Sequence, residues 1–158
     1  MRGNDQVIAQ LNAALSAELT AIVQYIVHAE MCTNWGYHRL GASVKKQAID
    51  EMRHAEGVIE RILFLEGVPG LGMKLPLNVG ESVKAQIESD LKLEHEAFTQ
   101  YNAAIQVCAD EGDNTSADLF EKLLADEEKH IDFLETQLHI IKEIGIQNYL
   151  AKQMEAAS

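Results

Sequence analysis

The chain has 158 residues, 47% hydrophobic and only 6% aromatic, with 2 prolines and 10 glycines. That suffices for one compact core and favours helices over a sandwich or barrel. A formal charge of −12, from 25 acidic against 13 basic residues, argues against nucleic acid as a partner and suits cations. The start, "MRGNDQVIAQLNAALSAELTA", lacks the apolar block and cleavage site of a signal peptide, and no uninterrupted apolar run is long enough to cross a membrane. The expectation is a cytoplasmic protein with no membrane partner. Cys32 and Cys108 include no CxxC pair and read as two reduced, part-buried thiols.

Helical periodicity runs in four long blocks. The first begins near Asp5 and stops at Gly36 of "NWG"; the second runs from near Arg39 to Gly67. The third follows Glu81-Ser82 and ends before Gly112, and the fourth runs from about Ser116 to Gly145. Between the second and third lies "VPGLGMKLPLNVG", which holds both prolines. Thirteen extended residues reach about 43–47 Å, enough to travel the length of such a helix. The expectation is an all-α four-helix bundle: two antiparallel hairpins, a long crossover between helices two and three, and a short fifth C-terminal helix. That last piece, "IQNYLAKQM", is too short to be stable alone. Its Ile146, Tyr149 and Leu150 need partners outside a bundle core that is complete by Ile144.

The apolar seams contain charges. Helix one presents Ile8, Leu11, Leu15, Glu18, Ile22, Tyr25 and Ala29; helix two presents Val44, Ala48, Glu51, Ala55, Val58, Ile62 and Leu65. Helix three presents Ile87, Leu91, Glu94, Phe98, Tyr101, Ile105 and Cys108; helix four presents Phe120, Leu124, Glu127, Ile131, Leu134, Leu138 and Ile141. Each seam carries one glutamate near mid-helix, so packing the helices brings four carboxylates to one level. The two halves also repeat. Glu18, Tyr25, Cys32, Glu51 and His54 recur 76 residues later as Glu94, Tyr101, Cys108, Glu127 and His130.

Four buried carboxylates without counter-charge would raise one another's pKa and destabilise the fold. Two divalent ions cancel them. A histidine three residues after a glutamate shares its helix face, so each Glu-x-x-His can grip one ion while carboxylates bridge the pair. Mixed oxygen and nitrogen ligands suit iron, or manganese, that must meet oxygen. Two Glu residues and two Glu-x-x-His pairs form the ligand set of ferritin-like di-metal bundles.

Over nearly its whole length the sequence resembles the bacterioferritins, through "ELTAIVQY" (18–25), "NWG" (34–36), "IDEMRHAE" (49–56), "ERILFLEG" (60–67) and "DEEKHIDFLETQL" (126–138). His130, in a second Glu-x-x-His, separates it from ordinary ferritins, and no cysteine-rich iron domain follows as in rubrerythrins. The resemblance implies a single ferritin-like di-iron domain spanning 1–158. It also implies a hollow shell of twenty-four subunits built from twofold dimers, a ferroxidase oxidising Fe(II) with dioxygen or hydrogen peroxide, and a stored ferric mineral. The ligands would be Glu18, Glu51, His54, Glu94, Glu127 and His130 for two iron ions per subunit, with Glu51 and Glu127 bridging. Tyr25 would donate an electron during oxidation. Asn34, Glu66, Asp132 and Thr136 match positions lining a pore through which iron enters. Trp35 reads as a packing residue. Lys45 and Lys46 speak against an inner-surface iron site near Asp50.

A second apolar row, Ile49, Met52, Ile59 and Leu63, lies beside the seam of helix two, with Leu19, Val23 and Ile26 on helix one. Such a stripe suggests a subunit contact, with Met52 a gap-filling residue within it. The resemblance adds that Met52, in "DEMRH", is the axial ligand of a b-type haem, one per two subunits, assisting electron transfer from a ferredoxin-type donor for iron release. The competing reading is a di-iron oxidase or peroxidase that protects against oxidants and stores little iron.

Overall fold

The structure, a computed structural model, describes residues 1–156. Among them are five helices and no strand: α1 (Asp5–Asn34), α2 (His38–Phe64), α3 (Val83–Asp110), α4 (Asn114–Ile144) and α5 (Ile146–Gln153). The starts of three long helices are fixed by side-chain caps. Asn4 accepts from the amides of Gln6 and Val7, Ser82 from Ala85, and Asp113 from Ser116. So α4 begins two residues before the expected Ser116, whose hydroxyl instead donates to Asp113 (2.7 Å) and accepts from Arg61 Nε (2.8 Å). Arg61 also binds Asp113 through Nη2 at 2.8 Å, clasping the end of α2 to the start of α4.

Gly36 (φ +91°) and Gly112 (φ +73°) close the two hairpin turns, in backbone that L side chains rarely adopt. After α2 the left-handed position falls on Glu66 (φ +60°) and not on Gly67, so the helix stops earlier than expected, at Phe64.

The helices pair as α1 with α2 and α3 with α4, and the hairpins meet through α1 against α3 and α2 against α4. Every seam residue is buried or half-buried; none is exposed. Two apolar clusters result. One gathers Leu11, Leu15, Val58, Ile62, Tyr101 and Phe120; the other gathers Tyr25, Leu40, Val44, Ile87, Leu134 and Tyr149. The glutamate-bearing turns lie between them. By length and composition α1 is the one described helix apolar enough to span a membrane, although no uninterrupted apolar run marks it; in the bundle it forms one wall of the core. Cys32 and Cys108 are free and buried, and burial raises both thiols to about 11, so they stay protonated.

The crossover climbs along α1 on a ladder of polar side chains. Gly70 N–H donates to Asn12 Oδ1 (2.7 Å), Lys74 N–H to Thr20 Oγ1 (2.9 Å), Asn78 N–H to Gln24 Oε1 (3.3 Å) and Gly80 N–H to His28 Nε2 (3.0 Å). An irregular segment cannot satisfy its own backbone donors, so these side chains do it. With Nε2 accepting, the His28 proton sits on Nδ1 and is donated to Asp90 Oδ1 at 2.8 Å. Gln24 Nε2 donates to the same oxygen at 2.9 Å, which ties the ladder to α3.

The fifth helix docks on its own subunit, against α4 and α2. Tyr149 is buried in the second core cluster, and its hydroxyl donates to Gln137 Oε1 at 2.7 Å. The expectation that the core is complete by Ile144 is therefore corrected: an aromatic ring from the tail closes one end of it. Tyr149→Ala is expected to cost about 3–5 kcal/mol, the usual range for emptying a buried aromatic site. A thermal melt of the variant checks this; an unchanged midpoint would mean the ring contributes nothing.

Candidate metal centre

Half-way along each long helix one carboxylate turns inward, and the four meet. Glu18 (α1), Glu51 (α2), Glu94 (α3) and Glu127 (α4) are all buried, as are His54 and His130 one turn after Glu51 and Glu127. Their ligand atoms form two sets, each within 4.8 Å: Glu18, Glu51, His54 and Glu127, and Glu51, Glu94, Glu127 and His130. Glu51 and Glu127 belong to both, as bridging carboxylates between two ions must.

The imidazoles aim Nδ1 at the carboxylates. His54 Nδ1 lies 3.2 Å from Glu127 Oε1, 3.5 Å from Glu51 Oε2 and 3.6 Å from Glu18 Oε2. His130 Nδ1 lies 2.8 Å from Glu51 Oε1 and 3.5 Å from both Glu94 Oε1 and Glu127 Oε2. The opposite ring nitrogens are held by aspartates: His54 Nε2 at 3.0 Å from Asp126, and His130 Nε2 at 3.3 Å from Asp50. Carboxylates in this position fix the ring and its tautomer and raise ligand basicity. Asp50 and Asp126 were missed in the sequence, although the signal was there. They precede the two Glu-x-x-His motifs by one residue and obey the same 76-residue offset.

Tyr25 donates its hydroxyl to Glu94, which sets it beside the cluster. Tyr101 donates to Glu18 in the mirror arrangement, an interaction the sequence reading did not assign.

The protein leaves this cluster with buried polar atoms it does not satisfy. Glu18 Oε2, Glu51 Oε1, Glu94 Oε2, both Glu127 oxygens and both histidine Nδ1 atoms have no hydrogen-bond partner. Native structures leave only a few such atoms per hundred residues, and here seven converge on the two ligand sets. The donors therefore fit a pair of divalent ions, and the chemistry of the set, carboxylate oxygens with one imidazole each, suits iron or manganese.

The electrostatics agree. Burial, followed by the neighbouring Glu18, raises the Glu51 carboxyl well above its usual range. Burial also works against charge on the histidines but is outweighed: Glu127 and Glu51 raise His130 to about 10, and Glu127, Glu18 and Glu51 raise His54 further. For Glu127 the opposition of burial is overcome by His130 and His54, which lower it. Protons occupy the site wherever cations do not.

The remaining sequence candidates lie outside the cluster. Met52 is 46% exposed on the outer side of α2, in an apolar stripe with exposed Ile26, Ile49 and Leu63. Asn34, Glu66, Asp132 and Thr136 are all exposed: the first at the α1–α2 turn, the second beyond the far end of α2, the last two on α4. Trp35 is part-exposed and meets Tyr37 edge-on at 6.4 Å between ring centroids.

An all-helical bundle holding two carboxylate–histidine sets at its centre is a ferritin-like arrangement, and the ferritin family profile, described as a ferritin-like domain, matches residues 8–144. The chain is 43% identical over 152 residues to a bacterioferritin of Mycolicibacterium paratuberculosis, covering 96% of each chain. It is 46% identical over 149 residues to a bacterioferritin of Brucella melitensis, covering 94% of this chain and 92% of that one. Its fold is similar to that of Mycobacterium tuberculosis bacterioferritin, with a TM-score of 0.96, 41% identity and 98% of both chains covered. The chain belongs to the bacterioferritin family.

Proposed function

We propose that the chain is the subunit of an iron-storing ferroxidase. The observation that carries this reading is the pair of ligand sets sharing Glu51 and Glu127, with the unpartnered polar atoms they contain. Glu18, Glu51, His54 and Glu127 would hold one iron ion and Glu51, Glu94, Glu127 and His130 the other. When bound, two Fe(II) ions would supply one electron each to a molecule of dioxygen or hydrogen peroxide. The protein's part is positional and electrostatic: Asp50 and Asp126 hold the imidazoles with Nδ1 inward, and Tyr25 and Tyr101 hold the outer carboxylates. Tyr25 serves as an electron donor. The chain's relatives are bacterioferritins, and in this reading a ferric mineral lies inside a shell of twenty-four subunits in the cytoplasm. Asn34, Glu66, Asp132 and Thr136, as exposed polar groups, suit its pores.

Adding Fe(II) in air, with size-exclusion chromatography and metal analysis, tests this. The expected result is a large particle that gains ferric absorbance and retains the iron. A small species forming no ferric product would overturn the proposal. Rapid turnover with no retained iron would favour the protective oxidase or peroxidase instead.

A second cofactor belongs to the same reading. The exposed Met52 thioether lies in an apolar stripe, and with the same residue of a second copy it would hold a haem there. Such a haem would supply one-electron chemistry between a ferredoxin-type donor and the stored iron. Met52→Leu keeps volume and apolarity, so packing should lose below about 1.5 kcal/mol, but it has no thioether. The variant is expected to assemble and oxidise Fe(II) while losing the Soret band. Full haem content with unchanged axial ligation would return Met52 to an interface role.

A further inference from the structure

We propose that Tyr101 is a second one-electron donor to the oxidant, alongside Tyr25, so that dioxygen consumed at this centre is reduced to water rather than released as peroxide. The inference rests on the ferroxidase reading above. Six ligands and two aspartates account for metal binding, yet the 76-residue repeat also duplicates a tyrosine. Both tyrosines are fully buried, and each reaches across to the outer carboxylate of the opposite hairpin: Tyr25 to Glu94, Tyr101 to Glu18. Neither of the chain's other tyrosines reaches a ligand carboxylate: Tyr37 meets Trp35, and Tyr149, though buried, bonds Gln137. Cys32 and Cys108 share the repeat, but Cys32 donates to Gln86 (3.3 Å) and neither thiol meets the ligand set, so the inference stops at the tyrosines.

Electron counting gives the second tyrosine a purpose. Reducing dioxygen to two water molecules takes four electrons and four protons. Two Fe(II) ions give two electrons, and one from each phenol completes the set. Each O–H bond breaks as its electron leaves, with the proton passing by way of the carboxylate it already bonds, Glu94 or Glu18, to the oxygen being reduced. Two Fe(II), two phenols, one dioxygen and two solvent protons thus give two Fe(III), two neutral tyrosyl radicals and two water molecules. The ring packed against Tyr101 is Phe120, at 5.7 Å between centroids, which does not readily give up an electron. The radical would therefore stay on Tyr101 long enough to be trapped.

Single-turnover Fe(II) oxidation, rapid freezing and electron paramagnetic resonance test this on the assembled protein, with peroxide measured in parallel. Wild-type protein should give two tyrosyl spins per centre and little peroxide. Tyr101→Phe and Tyr25→Phe should each halve the spin yield and raise peroxide toward one per two Fe(II) oxidised. The double variant should give no tyrosyl signal. Zn(II) affinity, read separately, is expected to fall by about 10–100-fold in Tyr101→Phe, because the hydroxyl also holds Glu18, so spin yield is scored per iron-loaded centre. Weaker Zn(II) binding with an undiminished spin yield would make Tyr101 a positioning residue for Glu18 and overturn the proposal. So would a Tyr25→Phe protein that oxidises Fe(II) without tyrosyl spin. Wild-type protein that oxidises no Fe(II) would overturn the ferroxidase reading and this one with it. Normal oxidation with wild-type spin yield in Tyr101→Phe would overturn this one alone.

Discussion

Glu127→Gln is expected to lower the fast phase of Fe(II) oxidation by more than about 100-fold. Losing a side chain that merely supports a metal ligand typically costs about 10–100-fold in affinity or activity. Glu127 is in both ligand sets and faces both histidines, at 3.2 Å from His54 and 3.5 Å from His130, so its loss strikes both ions together. The amide keeps the volume but has a single neutral oxygen acceptor, and it cannot bridge as a carboxylate does. The same substitution should weaken the metal-free bundle, because Glu127 is the carboxylate that the two imidazoles hold ionised. Glu51→Gln should do the reverse to the metal-free fold, since Glu51 is held toward its neutral acid, which an amide imitates. Stopped-flow oxidation and chelator-treated melts read these outcomes. Wild-type kinetics in Glu127→Gln would remove it from the site.

The chelator-treated protein should lose stability as pH rises from about 6.5 to 10. His130 has its folded pKa raised from 6.5 to about 10, so the native state holds a proton that the unfolded chain releases. Its stabilising contribution is complete below 6.5 and is lost as pH climbs through the folded value. His54 is raised too, and the raised Glu51 carboxyl acts in the same direction. Glu127, lowered from 4.5, contributes above that value and loses its contribution on acidification, which places the weak side of the acid limb below it. Zn(II) reverses the trend, because a cation replaces the protons and binds better as they leave. Melting midpoints across this range, with and without Zn(II), decide the matter. A metal-free midpoint that stays level or climbs would mean the imidazoles are uncharged at pH 6.5.

Bundle and ligand set were legible in the sequence for one reason: a carboxylate in an apolar seam is too costly to be accidental. Phase alone therefore placed Glu18, Glu51, Glu94 and Glu127 inside, and all four are buried. What stayed hidden lies where a polar residue is cheap on either side of the surface. Asp50 and Asp126 sit at the edge of the site, part-exposed, and nothing in helical phase separates them from solvated aspartates. Thr20, Gln24, His28 and Asp90 lie outside the apolar seams, yet all are buried: the first three accept from amides of the crossover, and Asp90 is bonded by Gln24 and His28. A covering segment without periodicity cannot be placed by a rule built on periodicity. The docking of α5 failed to show for a related reason: Tyr149 fills a gap at the bundle end that only the folded helices define.

The crossover also makes the two halves electrically unequal. By geometry the ligand set is nearly a twofold figure, with Glu18 exchanging for Glu94, His54 for His130 and Tyr25 for Tyr101. The polar ladder belongs to one half only. Where that half has His28 and Asp90, the other has Ala104 and Ala14 at the same offset. After burial, the Asp90 carboxylate is the largest influence raising Tyr25, while Tyr101 feels Glu18 and Glu51 and no such outside charge. A perfectly duplicated pair of iron positions would have identical reduction potentials and no preferred direction for an electron. The buried aspartate that anchors the connecting strap would give a bound pair of ions a polarity, with the position beside Tyr25 in a more negative field than its twin.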